Sequence, residues 1–93
     1  MANFIVSYDL NGPKPTHKEM DEHIRKIAPM HGRILETVWY LKCGGTPESI
    51  RNYLQLILGK EDRVFVAECG ASAWHKLLVT NESLKNAWEK QAA

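Results

Sequence analysis

The run Asn3–Leu10 (N-F-I-V-S-Y-D-L) narrows the folds open to this chain more than any other stretch. It is short and apolar, carries one acid near its end, and meets the turn residues Asn11-Gly12-Pro13 at once. A run bounded in this way predicts a buried strand. Asp9 then stands at the mouth of a sheet beside a loop. That is a place for chemistry, although one carboxylate is not an active site.

The rest of the chain alternates around that strand. Thr16-His17-Lys18-Glu19 fits a capping box and opens a helix, with Met20, Ile24 and Ile27 as its apolar stripe. Pro29 and Gly32 stop it. Gly32–Cys43 is rich in strand formers but, at 12 residues, long for one strand. It is either one edge strand or two, broken near Glu36-Thr37. Gly44-Gly45 is a turn, Thr46 caps a second helix and Pro47 takes its first position. Ile50, Tyr53, Leu54, Ile57 and Leu58 recur at helical spacing, and Gly59 is expected as a left-handed cap. Asp62–Cys69 alternates with apolar residues on both faces, which predicts a central strand. After the turn Gly70-Ala71-Ser72, Ala73–Val79 is expected as a short strand or extended arm. Asn81 can cap a last helix bearing Leu84, Ala87 and Trp88.

Ninety-three residues with 44% apolar and 25% charged content fit one domain, its core about residues 3–69 and a C-terminal arm and helix about 70–93. A chain this short exposes much of its surface, so pairing with a second copy would stabilise it. The net charge of +1 lacks the basic excess of a dedicated nucleic-acid binder. Cys43 and Cys69 have no metal-binding or disulfide spacing and read as reduced, part-buried thiols. No apolar run approaches the roughly 20 residues of a membrane span, and the N-terminal residues do not look like a signal peptide. Cytoplasmic residence without membrane attachment is the expectation.

If Gly32–Cys43 is two strands, the order becomes βαββαβ, an α+β ferredoxin-like unit with an antiparallel sheet; if one, βαβαβ with a parallel sheet. The split version suits this length better. Two helices would cover one face of the sheet, and a second subunit is the natural cover for the other. Val6-Ser7-Tyr8-Asp9-Leu10, Glu36-Thr37-Val38-Trp39 and Asp62-Arg63-Val64-Phe65-Val66, with a helix in each interval, resemble the ferredoxin-like superfamily of CRISPR-associated protein two and virulence-associated protein D. Gly70-Ala71-Ser72-Ala73-Trp74 is more similar to small SinR-like relatives. The resemblance spans about residues 3–78. It implies a homodimer joined through sheet faces, with Ala73–Val79 as an arm that adds to the partner. It also implies nucleic acid as a substrate, cleaved with Mg²⁺ or Mn²⁺ held at Asp9, and matches Thr37 to a small hydroxyl residue ahead of the Val-aromatic pair. No residue identifies a protein partner.

The residues themselves leave two roles open for Asp9. Two copies across a dimer axis could share a divalent ion that activates water, or Asp9 could simply cap the Asn11-Gly12 turn. The turn role carries more weight. His17, His23, His31 and His75 lack zinc spacing. Cys43 and Cys69 each end a strand and could neighbour one another in the sheet; Lys42 is the only hint of thiol activation, and apolar filler is the better account. Tyr8, Trp39, Tyr40 and Trp74 could stack bases or line a subunit interface, with the interface favoured. Lys14, Lys18, Arg25, Lys26 and Arg33 form the densest basic region, interrupted by Asp21 and Glu22, and read as an ordinary solvated face.

Overall fold

Seven elements build the fold in the computed structural model, which describes residues 1–89: β1 (Ala2–Asp9), α1 (His17–Arg25), β2 (Met30–Leu35), β3 (Val38–Cys43), α2 (Pro47–Gln55), β4 (Arg63–Cys69) and α3 (Asn81–Glu89). The Gly32–Cys43 region is therefore two strands, and the break falls at Glu36-Thr37. All pairings are antiparallel and the sheet order is β2-β3-β1-β4. This α+β arrangement, four antiparallel strands with three helices, is compatible with a small ferredoxin-like fold.

Both main helices start where their caps place them. The Thr16 hydroxyl accepts the Glu19 amide while the Glu19 carboxylate accepts the Thr16 amide, at 3.2 and 2.9 Å. In α2 the Thr46 hydroxyl and Ser49 exchange the equivalent pair at 3.1 and 2.9 Å, with Pro47 in the first turn. Gly45 reaches that cap with φ 96°, and a Cβ there would lie 2.7 Å from the Ser49 hydroxyl oxygen, so glycine is required. Met20 and Ile24 of α1 and Ile50 and Leu54 of α2 then pack on Phe4, Val6, Tyr8, Trp39, Leu41 and Cys43. Between the helices, the Tyr53 hydroxyl donates to the His23 carbonyl at 2.8 Å and the two rings stack 4.0 Å apart.

The opposite face carries Ile5, Val38, Tyr40 and Ile34, and the same chain covers it. Leu84, Ala87 and Trp88 of α3 pack there with Trp74, Leu77 and Val79 from the segment before it. The cover that the order of strands and helices suggested would come from a second subunit is thus largely supplied in cis. Its anchor is Lys42, which is 3% exposed: the ammonium donates to the carbonyls of Ala87 and Trp88 at 2.6 and 3.1 Å. A cation on carbonyls toward the C-terminal end of a helix is favoured by the negative end of the helix dipole. Asn3 adds a bond to the Trp88 carbonyl, and the Trp88 indole donates to the Gly70 carbonyl at 2.7 Å.

Three local expectations change. First, β4 is an edge strand, not a central one, because among the described residues it pairs only with β1. Val64 and Val66 face the α2 side, whereas Phe65, on the other face, is 65% exposed. Second, α2 ends at Gln55 with Leu56 as a right-handed C-cap, and Gly59 is not left-handed. The Gly59 amide instead donates to Asp62. Third, Ala73–Val79 forms no strand; bends interrupt it, and Lys76 sits at φ 51°. It still touches the sheet, since the Leu78 amide donates to the Ile34 carbonyl at 3.0 Å. The C-terminal helix is described as far as Glu89, and residues 90–93 lie outside the described residues.

Candidate functional site

Asp9 is the last residue of β1 and is exposed. It stands opposite Arg63 at the start of β4, and its carboxylate has no hydrogen bond or ion pair among the described residues. Thr37 lies at the same end of the sheet, in the β2–β3 turn, where its carbonyl accepts the Tyr8 amide at 3.1 Å. Among the described residues, no group of three or more His, Cys, Asp or Glu side chains is placed to hold a metal ion. The described chain therefore offers Asp9 as a carboxylate without a second acid beside it.

The carboxylate that organises the neighbouring loop is Asp62. Its two oxygens accept the amides of Asn11 at 2.7 Å, Gly12 at 3.3 Å and Gly59 at 2.8 Å. These bonds to the ionised form hold the Asp62 carboxyl below its ordinary value. The turn-capping role that spacing suggested for Asp9 thus belongs to a residue far along the chain.

A second polar cluster joins α1 to the sheet. The Tyr8 hydroxyl and the Trp39 indole N–H both donate to the same oxygen of Asp21, at 2.8 and 3.1 Å. Burial raises the Tyr8 pKa, and the Asp21 carboxylate that accepts its proton raises it further; Arg33 opposes both. Tyr40, on the opposite face, is pushed up to about 12, first by burial and then by Cys43. Its hydroxyl donates to Asn3 at 2.6 Å. Tyr8, Trp39 and Tyr40 are each 2% exposed. They are core residues, available neither for base stacking nor for a subunit interface. The two cysteines do not meet, since Cys43 pairs with Ala2 and Cys69 with Asn3, on opposite faces of the sheet. Burial pushes the Cys43 thiol up, away from the thiolate that reactivity needs.

The clearest asymmetry lies at the two edges of the sheet. Beside β2 run residues 77–79, with the Leu78 amide on Ile34 and Val79 against Gly32, where a Cβ would come within 3.0 Å of the valine methyl. Among the described residues, no strand or backbone bond occupies the outer side of β4. Its sequence R-V-F-V-A-E-C contains neither proline nor lysine, and its charges stand near its ends. Among the described residues, no helix is long and apolar enough to cross a membrane. Comparison with protein-family models gives no match, and comparison with curated proteins gives no significant relative.

Proposed function

We propose that the chain works as a homodimeric interaction module of ferredoxin-like type, joined through the outer edge of β4. The observation that carries this is the contrast between a β2 edge partly covered by residues 77–79 and, among the described residues, an uncovered β4 edge bearing the exposed Phe65. An unpaired strand edge presents a row of backbone donors and acceptors, and natural sheets block such edges unless they are used. The occupant is a second copy. An antiparallel strand can pair with itself about a twofold axis, which makes the contact closed and self-complementary. A small domain also gains from the added burial. Sedimentation equilibrium tests this. The wild-type chain associates to a dimer, and Phe65→Lys weakens the dimer about tenfold or more. A wild-type chain that stays monomeric at high micromolar concentration rules the module out.

A second reading keeps the resemblance to the CRISPR-associated protein two and virulence-associated protein D group: a nuclease that uses Mg²⁺ or Mn²⁺. It is favoured by the exposed Asp9, unengaged among the described residues, at the same sheet end as Thr37. One carboxylate from each protomer would supply the hard oxygen ligands such ions prefer, and the ion would supply an activated water. Cleavage of DNA or RNA by wild type, abolished by Asp9→Asn with the fold intact, supports it. Equal cleavage by both, or none, removes it.

A further inference from the structure

Two arginines of the basic region that reads in the sequence as a solvated face are brought against one buried tryptophan by helix placement and sheet register. The Arg25 guanidinium of α1 lies over the Trp39 ring, 5.3 Å from its centroid. Arg33 stands directly opposite Trp39 across the β2–β3 pair, on the same face. The His31 ring is 6.1 Å from Trp39, and His17 meets Tyr8 edge-on at 6.0 Å. Arg25, Arg33, His17 and His31 are all exposed.

One carboxylate, Asp21, touches the same indole. Asp21 directs one oxygen at the Tyr8 and Trp39 donors, and neither arginine forms an ion pair with it among the described residues. Glu22 lies on the other side of α1, around a cleft shared with Lys14, Glu19, His23 and Lys26. One guanidinium fork is therefore seated on a rigid buried indole and a second arginine stands across the strand pair from it, positioned by a helix and an edge strand rather than by loops.

We propose that Arg25 and Arg33, with His31 beside them, form a binding site for a phosphate group. The planar guanidinium matches the oxygens of a phosphate in paired hydrogen bonds, and stacking on Trp39 fixes the Arg25 fork before the ligand arrives. Trp39 is a wall and not a stacking platform, because it is 2% exposed. Recognition is thus of the phosphate and not of a base. A free phosphate or the backbone of a nucleic acid would present the same group. The site is independent of β4 pairing, which lies on the opposite edge of the sheet.

The test uses two probes, inorganic phosphate and a fluorescein-labelled single-stranded oligonucleotide. The readouts are the NMR resonance of the Trp39 indole N–H and, for the oligonucleotide, fluorescence anisotropy at low salt. Binding moves the Trp39 resonance. Arg25→Gln and Arg33→Gln each lower affinity about tenfold, while Lys60→Gln and Lys85→Gln, at exposed positions elsewhere, leave it within about twofold. Arg33→Lys keeps the charge, loses the fork and falls between. A response to inorganic phosphate assigns the site to free phosphate ligands, whereas a response to the oligonucleotide alone assigns it to a nucleic-acid backbone. No shift of Trp39 with either probe overturns the proposal. So does an equal loss in the lysine variants, which marks non-specific attraction. Phe65→Lys keeps phosphate binding, so failure of the dimer and failure of this site are separable.

Discussion

The two edge strands of this sheet are close in length and differ in what lies beside them. β2 is flanked by residues 77–79 and overlain by α3, and a backbone bond from Leu78 closes part of its edge. β4 has no such neighbour among the described residues and exposes Phe65. The lesson is that an edge here is protected by chain that arrives after the sheet is complete, not by the strand's own sequence. β2 contains Gly32 and Arg33, residues that discourage strand addition, yet β2 is the edge that is partly covered. β4 has the stronger strand composition and is left open.

Breaking the seal on the β2 side has the largest expected effect. Leu84, on the inner face of α3, is 4% exposed, and Leu84→Ala removes the centre of that contact. The expected loss is about 2–5 kcal/mol of stability by urea unfolding, with faster amide exchange in β2 and unchanged exchange in α1 and α2. Next comes the anchor. Lys42→Met keeps the stem volume but removes the donors to the α3 carbonyls, and costs about 1–3 kcal/mol. If Lys42→Met matches wild type in urea, the ammonium does not hold the helix. On the open side, Phe65→Lys changes the unfolding free energy of the monomer by less than about 0.5 kcal/mol, while weakening association. A large loss of monomer stability would place Phe65 in the core instead.

The smallest effect concerns the entry to β4. The Asp62 carboxyl is held below its ordinary value of 3.8 by the amides of Asn11, Gly59 and Gly12. A depressed carboxylate contributes stability that is fully present above the ordinary value and is lost as pH falls through the folded one. Asp62→Asn is therefore less stable than wild type near pH 7, and the gap narrows as pH is lowered from about 4 toward 2. A gap that is constant with pH would mean that Asp62 acts through shape and not through charge. Thermal unfolding across that range distinguishes the two.

Much of this architecture is legible in the sequence because it is local. Thr16-x-x-Glu19 and Thr46-Pro47 mark both helix starts, and the strand formers on either side of Glu36-Thr37 allow the break that occurs. The failures are all non-local. Apolar residues on both faces of Asp62–Cys69 suggest a central strand, but alternation carries no information about how many neighbours a strand has. Gly59 resembles a helix cap, yet its amide goes to Asp62 and the helix closes earlier. Asp62 itself reaches Asn11 across 51 residues, which no spacing rule anticipates. At the candidate sites, Asp9 is legible as a strand-end acid. The meeting of Arg25, Arg33 and Trp39 is not, since it depends on strand register and helix placement together.

Backbone hydrogen exchange, followed residue by residue at two protein concentrations, tests the open edge most directly. If β4 pairs with a second copy, amides within Arg63–Cys69 exchange more slowly at the higher concentration, while those of β2 are unchanged. Phe65→Lys abolishes the difference. Exchange in β4 that is independent of concentration, or a slowing confined to β2 and α3, would contradict the account and move the interface to the face that α3 covers.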